Sequence, residues 1–126
     1  DFNTKLLAQS IAGENFEISL FLIQNGINVN GVNEDGSSVL HLICEYPNID
    51  VAREILNHGG NINIRNKYGN NAMWNAVFNC KGKYYDMVEL FMQYNPDTTT
   101  KNNAGRSPLD FAKQVGNEKL IEILMK

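Results

Sequence analysis

Apolar side chains fall along this chain in short bursts at helical spacing. Val39, Leu40, Leu42 and Ile43 make one apolar face over about two turns, and Ile49, Ala52, Ile55 and Leu56 make a second. Each burst predicts a short helix. Tyr46-Pro47-Asn48 separates the two, because proline cannot continue the first helix and pushes the residue before it toward extended backbone. Gly59-Gly60 closes the second, since glycine takes the left-handed conformation that a helix C-terminus often needs. From Asn61-Ile62-Asn63-Ile64 to the turn at Tyr68-Gly69, the equivalent of Asp35-Gly36, the pattern predicts an extended finger. One unit is therefore two antiparallel helices and a projecting hairpin.

The unit recurs. Leu7, Leu40, Met73 and Leu109 hold one equivalent position, at steps of 33, 33 and 36 residues. A fixed period of that size predicts a solenoid in which each unit packs on its neighbours and the stack presents one long surface. The expected architecture is all-α, about four helix-turn-helix repeats with hairpin or loop fingers, in one domain over residues 1–126. The repeats divide approximately as 1–32, 33–65, 66–101 and 102–126. Such a surface points to binding rather than chemistry.

Composition narrows the class. With 126 residues and 43 % hydrophobic content, the chain can bury a continuous core without metals or disulfides. No apolar run approaches the roughly 18 residues of a membrane span, and the N-terminus lacks a basic, apolar, then small-residue leader pattern. An intracellular, cytoplasmic protein is expected. Cys44 and Cys80 fall at non-equivalent places in two repeats, which favours reduced thiols over a bridge.

The repeated residues resemble the ankyrin repeat. Gly36-Ser37-Ser38-Val39-Leu40-His41 and Gly59-Gly60-Asn61-Ile62-Asn63 are similar to its glycine, Thr-Pro-Leu-His and Gly-Ala-Asp-Val-Asn segments. Gly105-Arg106-Ser107-Pro108-Leu109-Asp110-Phe111-Ala112 matches in the last copy, Gly26-Ile27-Asn28-Val29-Asn30 in the first, and Met87-Val88-Glu89-Leu90 in the third. The resemblance implies an ankyrin solenoid that binds another protein on its concave face. It also implies that His41 is structural, hydrogen-bonding near the next hairpin.

Departures from the pattern single out the third repeat. Trp74 stands where the family usually has histidine, and Ala72-Met73 replace Pro-Leu beside it. Between its helices this repeat carries Asn79-Cys80-Lys81-Gly82-Lys83-Tyr84-Tyr85, three residues longer than the other copies. Insertions in repeat proteins map to loops on one face, often the binding face, although a tolerated surface insertion explains the length equally well. Trp74-Asn75-Ala76-Val77-Phe78 with this loop, and the closing unit from Lys101 to Leu109, are similar to small bacterial ankyrin proteins encoded beside secreted toxins. That resemblance implies an immunity role, in which a toxin domain is the partner and is neutralised by occlusion. The alternatives are an adaptor or scaffold segment of a larger ankyrin protein, or a host-directed bacterial effector.

By resemblance, contacts come from the finger tips and the ends of the first helices. Here those positions hold Glu34 and Asp35, Glu45 and Tyr46, Lys67, Tyr68 and Asn70, Phe78, and Arg106, to which Trp74 and the inserted Lys81, Lys83 and Tyr84 are added. Tyrosine, tryptophan and arginine are the usual interface anchors, offering large area at modest entropic cost. For Phe78 and Tyr85, packing between helices is the alternative. Residues 1–63 carry eight acidic and two basic side chains, and residues 64–126 carry six acidic and nine basic. The stack should have an acidic N-terminal end and a mildly basic C-terminal end, and the patch Glu34, Asp35 and Glu45 suits a basic partner.

Other functions find little in the sequence. His41 and Cys44 lie three apart on one helix, yet no further ligands have matching spacing, so neither metal nor cofactor is expected. Glu17, Asp50 and Asp86 recur at the starts of second helices, where a carboxylate suits the dipole; their repetition argues for architecture. No phosphate-binding glycine motif or nucleophile elbow occurs, so no enzyme is expected. A pI of about 5.3 and the lack of a one-sided basic run argue against nucleic acid. Lys5 and Glu14 stand where the family has threonine and glycine, and the chain stops at Lys126 after a second helix; polar ends of this kind predict capped termini and a folded monomer.

Overall fold

The computed structural model describes residues 2–126. Among the described residues eight helices alternate as four antiparallel pairs. They are α1 (Phe2–Ala12), α2 (Phe16–Gln24), α3 (Val39–Leu42), α4 (Ile49–Asn57), α5 (Ala72–Cys80), α6 (Tyr85–Met92), α7 (Pro108–Gln114) and α8 (Glu118–Leu124). Odd helices pack on odd helices and even on even, α1 against α3, α3 against α5 and α5 against α7, with α2, α4, α6 and α8 behind. This is the expected solenoid. The register positions Leu7, Leu40 and Met73 are buried to 1 % or less and Leu109 is half-buried against the same core, so the period seen in the sequence is the period of the core.

The caps repeat with the helices. Ser38, Asn71 and Ser107 are the equivalent N-caps of α3, α5 and α7. Ser107 and Asp110 form a reciprocal capping box, the Asp110 amide donating to Ser107 Oγ at 3.0 Å and the Ser107 amide to Asp110 Oδ2 at 2.9 Å. Asn48 and Asn117 cap α4 and α8 through the amides of Val51 and Leu120. Glu17, Asp50, Asp86 and Glu118 occupy the first turns of the second helices, where negative charge is favoured. Gly59, at φ +90°, follows the end of α4 as expected, and a side chain on Gly60 would meet Ile55 at 2.8 Å.

The fingers are tight hairpin turns without strands. Among the described residues no strand forms; each finger is closed by two backbone bonds, in the first from the Gly36 amide to Asn33 O and from the Asn33 amide to Ser37 O, with the isolated antiparallel bridge of Val32 with Ser38 beside them. Asparagine side chains reinforce the same turns. Asn33 Oδ1 accepts from the amides of Asp35 and Ser37, Asn66 Oδ1 from Tyr68 and Asn70, and Asn102 Oδ1 from Ala104 and Arg106. Such Asx turns satisfy two amides locally and leave no ladder to extend. Each finger also bonds the one before it, the Lys67 amide donating to Asp35 O at 2.8 Å and the Asn103 amide to Tyr68 O at 3.0 Å.

The three extra residues of the third repeat go mostly into helix and only in part into the lengthened loop expected. Set against the fourth repeat, α5 has nine residues where α7 has seven, and the link after it has four where the link after α7 has three, so Asn79 and Cys80 lie in the last turn of α5. Three residues approximate one helical turn, and extending the helix pairs their backbone groups at once. The actual link is Lys81 to Tyr84, with Lys81 left-handed at φ 49°. Cys44 and Cys80 are both buried and unpaired.

Candidate protein-binding face

Fingers and odd helices together shape a cleft of about 520 Å³ in the first half of the stack. Glu34 and Asp35 reach it from the first finger, Glu45 from the turn after α3, and Lys5, Leu42 and Asn75 from the helices. Thus three residues that the sequence singled out meet in one concavity. Glu34 and Glu45 are exposed and, among the described residues, form no ion pair. Asp35 is engaged, its carboxylate lying 2.9 Å from Lys67 Nζ on the neighbouring finger. Both side chains are about half exposed, so this bridge adds little stability and mainly aligns two finger tips.

A second group lies further along the stack. Trp74 and Phe78, one turn apart on α5, stack with centroids 5.1 Å apart and planes at 14°. Phe111 on α7 closes the cluster at 5.6 Å from Trp74 and 5.5 Å from Phe78. Offset and tilted aromatic contacts of this kind contribute about 0.5 to 1.5 kcal/mol each beyond area burial. The cluster both packs and presents: Phe78 keeps 48 % of its surface exposed. Lys81 and Val115 border it around a depression of about 290 Å³. The Trp74 Nε1 is buried without a hydrogen-bond partner, so the indole gives up a polar bond for stacking.

The remaining positions divide. Tyr68 at the second finger tip is 54 % exposed and lies 5.2 Å from Lys67 Nζ, a cation–π distance. Tyr84 is exposed beside Lys83, also at 5.2 Å. Arg106 is exposed on the third finger. Tyr46 is half-buried against the core, and Asn70 is half-buried between fingers, its Oδ1 accepting from Asn102 Nδ2 at 2.8 Å. Tyr85 ties α6 to α8 through Asn117 and a Lys119 ammonium 4.4 Å from its ring. Lys5, Asn75 and Phe111 were not among the positions expected from sequence.

Buried chemistry is structural. His41 Nδ1 accepts from the Ser38 amide at 3.0 Å, so the proton sits on Nε2, which donates to Asn70 O at 2.8 Å on the next finger. Burial holds its pKa below the ordinary histidine value, against the smaller opposite pull of the Asn70 carbonyl. Burial, with the Glu45 charge beside it, also pushes the Cys44 thiol well up, which leaves it protonated and unreactive. Among the described residues, no three His, Cys, Asp or Glu side chains gather to hold a metal, and no helix is long and apolar enough to cross a membrane.

Known proteins share this repeat. A family model for ankyrin repeats matches in three copies over residues 6–102. A putative ankyrin repeat protein of Fowlpox virus (strain NVSL) is 32 % identical over 102 residues, covering 80 % of this chain and 23 % of its own length. An ankyrin repeat-containing protein of Schizosaccharomyces pombe is 34 % identical over 89 residues, covering 71 % of this chain and 41 % of its own. A probable serine/threonine-protein kinase of Dictyostelium discoideum is 35 % identical over 113 residues, 86 % of this chain and 13 % of that protein. The chain thus spans less than half the length of each of these relatives. Ankyrin repeats are generally non-catalytic modules for protein–protein interaction, and this chain belongs to the ankyrin repeat family.

Proposed function

We propose that the chain binds a basic segment of a partner protein across its concave face and acts by covering that segment. The observation that carries this reading is the cleft in which Glu34 and Glu45 stand exposed and without an ion-pair partner among the described residues. Tyr68 and Phe78 supply exposed aromatic surface along the same stack, of the kind that dominates interface energies. The acidic first half and basic second half orient an approaching charged protein before contact. Trp74, Lys81, Lys83, Tyr84 and Arg106 extend the face toward the fourth repeat.

Neutralisation of a toxin domain is the narrower case, in which the covered segment belongs to a small basic toxin. An adaptor segment of a longer ankyrin protein would use the same face without inhibiting anything. The buried, unpaired Cys44 and Cys80 suit a reducing compartment, and the cytoplasm is the location we propose. Affinity capture from the source organism tests the reading, with the native chain and a Glu34→Lys, Glu45→Lys variant as parallel baits. One protein retained by the native chain and lost by the variant supports it; a set of proteins held equally by both contradicts it.

A further inference from the structure

The first helix pair exposes a face that every later pair buries. Leu6 is 37 % exposed, whereas its equivalents Val39 and Ala72 are 2 % and 1 % exposed and Pro108 is buried. Ile18 is 47 % exposed, against 0 %, 3 % and 1 % for Val51, Met87 and Leu120. Phe21 is 63 % exposed, and its equivalents Leu90 and Ile123 are 4 % and 7 % exposed, Glu54 being the polar exception. These positions stay buried in the fourth pair, the last that the structure describes, so their cover in the structure comes from the preceding pair. The expectation of a polar N-terminal cap therefore fails at Leu6, Ile18 and Phe21.

We infer that this face is an unfilled stacking interface, and that in the complete protein a further antiparallel helix pair, supplied by polypeptide preceding Asp1, packs on Leu6, Ile18 and Phe21. The proposal rests on continuity, because the face repeats in register the surfaces that α3 and α4 turn toward α1 and α2, and so on down the stack. A single exposed apolar residue needs no explanation, but three on one face, each at a position otherwise buried, do. The occupant must present an apolar side chain at the position of Cys44 and Val77, since Cys44 Sγ donates to Ala72 O of the following pair and Val77 lines a depression with Phe111 and Leu120 of the pair after it.

That requirement disfavours a second copy of this chain. In the fourth pair the equivalent position is Lys113, exposed, although Val115 and Met125 of that pair remain apolar and open. Stacking that end on Leu6, Ile18 and Phe21 would bury an ammonium against three hydrocarbon side chains with no partner for its charge. The two ends are therefore unequal: the C-terminal face carries a charge where the interior has none, and the N-terminal face keeps interior residues.

The test uses the gene's own sequence. The chain is produced alone and with the stretch encoded immediately before Asp1, and melting and amide exchange in α1 and α2 are compared. The extended protein should melt about 5 °C higher or more, with exchange in α1 and α2 slowed about tenfold or more. Ile18→Lys with Phe21→Glu should abolish both gains in the extended protein and shift the 126-residue chain by about 1 °C or less. An unchanged melting temperature on extension would overturn the proposal. So would a reading frame that opens at Asp1, or a concentration-dependent self-association of the 126-residue chain that the double substitution removes.

Discussion

The His41 Nε2 lies 2.8 Å from the carbonyl oxygen of Asn70, so a side chain at the start of one repeat holds the finger of the next. Protonation would break the other ring bond, because Nδ1 can accept from the Ser38 amide only in the neutral imidazole. With the folded pKa depressed, the unfolded chain binds the proton first. Stability contributed at this site is complete above the unfolded value of about 6.5 and declines as pH falls below it. Melting curves should therefore lose temperature between pH 7 and pH 5.5, and His41→Gln should flatten that segment. Equal slopes in the two proteins would refute the assignment.

A different pH range reports Asp97 and Asp110, both held down to about 2. Thr100, backbone amides and Arg65 stabilise the first carboxylate, and Lys101 and Ser107 the second. Their depressed values mean stability present above about pH 4 and lost below it. Asp110→Asn should remove part of the acid-side loss while leaving the slope above pH 5.5 unchanged.

Asn66 joins two fingers. Its side chain accepts from the amides of Tyr68 and Asn70 and donates to Ser37 Oγ at 3.1 Å. At a net of about 0.5 to 1.5 kcal/mol per bond, Asn66→Ala should cost about 2 kcal/mol in urea unfolding. A loss below about 0.5 kcal/mol would show that the finger does not depend on this turn.

Trp74 separates ring from donor. Trp74→Phe keeps most of the stack with Phe78 and Phe111 and removes the unpartnered Nε1, so its stability should fall within about 1 kcal/mol of native or above it. Trp74→Ala leaves a hole and should cost about 3 kcal/mol. Equal losses in both variants, by thermal or urea melting, would show that the indole nitrogen is in fact satisfied.

Tyr84 occupies the N-cap of α6, where Asn15, Asn48 and Asn117 stand in the other repeats, and makes no capping bond. A position that breaks a local rule without a structural return is a candidate for function. Tyr84→Asn should stabilise the chain by about 1 kcal/mol and weaken partner binding. Stabilisation with unchanged binding would remove Tyr84 from the face.

The stack was legible because its packing is written once per repeat. Leu40 and Ile55 recur in register as core side chains, and Gly59 recurs as Gly26, with Asn95 left-handed in its place in the third repeat. The extended α5 was less legible. Lys81-Gly82-Lys83 reads as loop, yet Val77 and Cys80 continue the helical spacing of Met73 and Ala76 and are buried with them. Contacts between repeats were the real gap. The Asp35–Lys67 bridge and the Trp74–Phe111 contact join residues 32 and 37 apart, and no local rule pairs such side chains. The asparagines at 33, 66 and 102 share a register that was visible, but their shared role in closing the fingers appears only once hydrogen bonds are traced.

The concave face is tested most directly by the affinity of the purified partner for the native chain and for one carrying Glu34→Lys, Glu45→Lys and Phe78→Ala, with melting curves beside each titration. Binding should weaken at least about thirtyfold, or about 2 kcal/mol, and more at low salt than at high, while the variant remains folded. Unchanged affinity in a folded variant would place the partner on another surface.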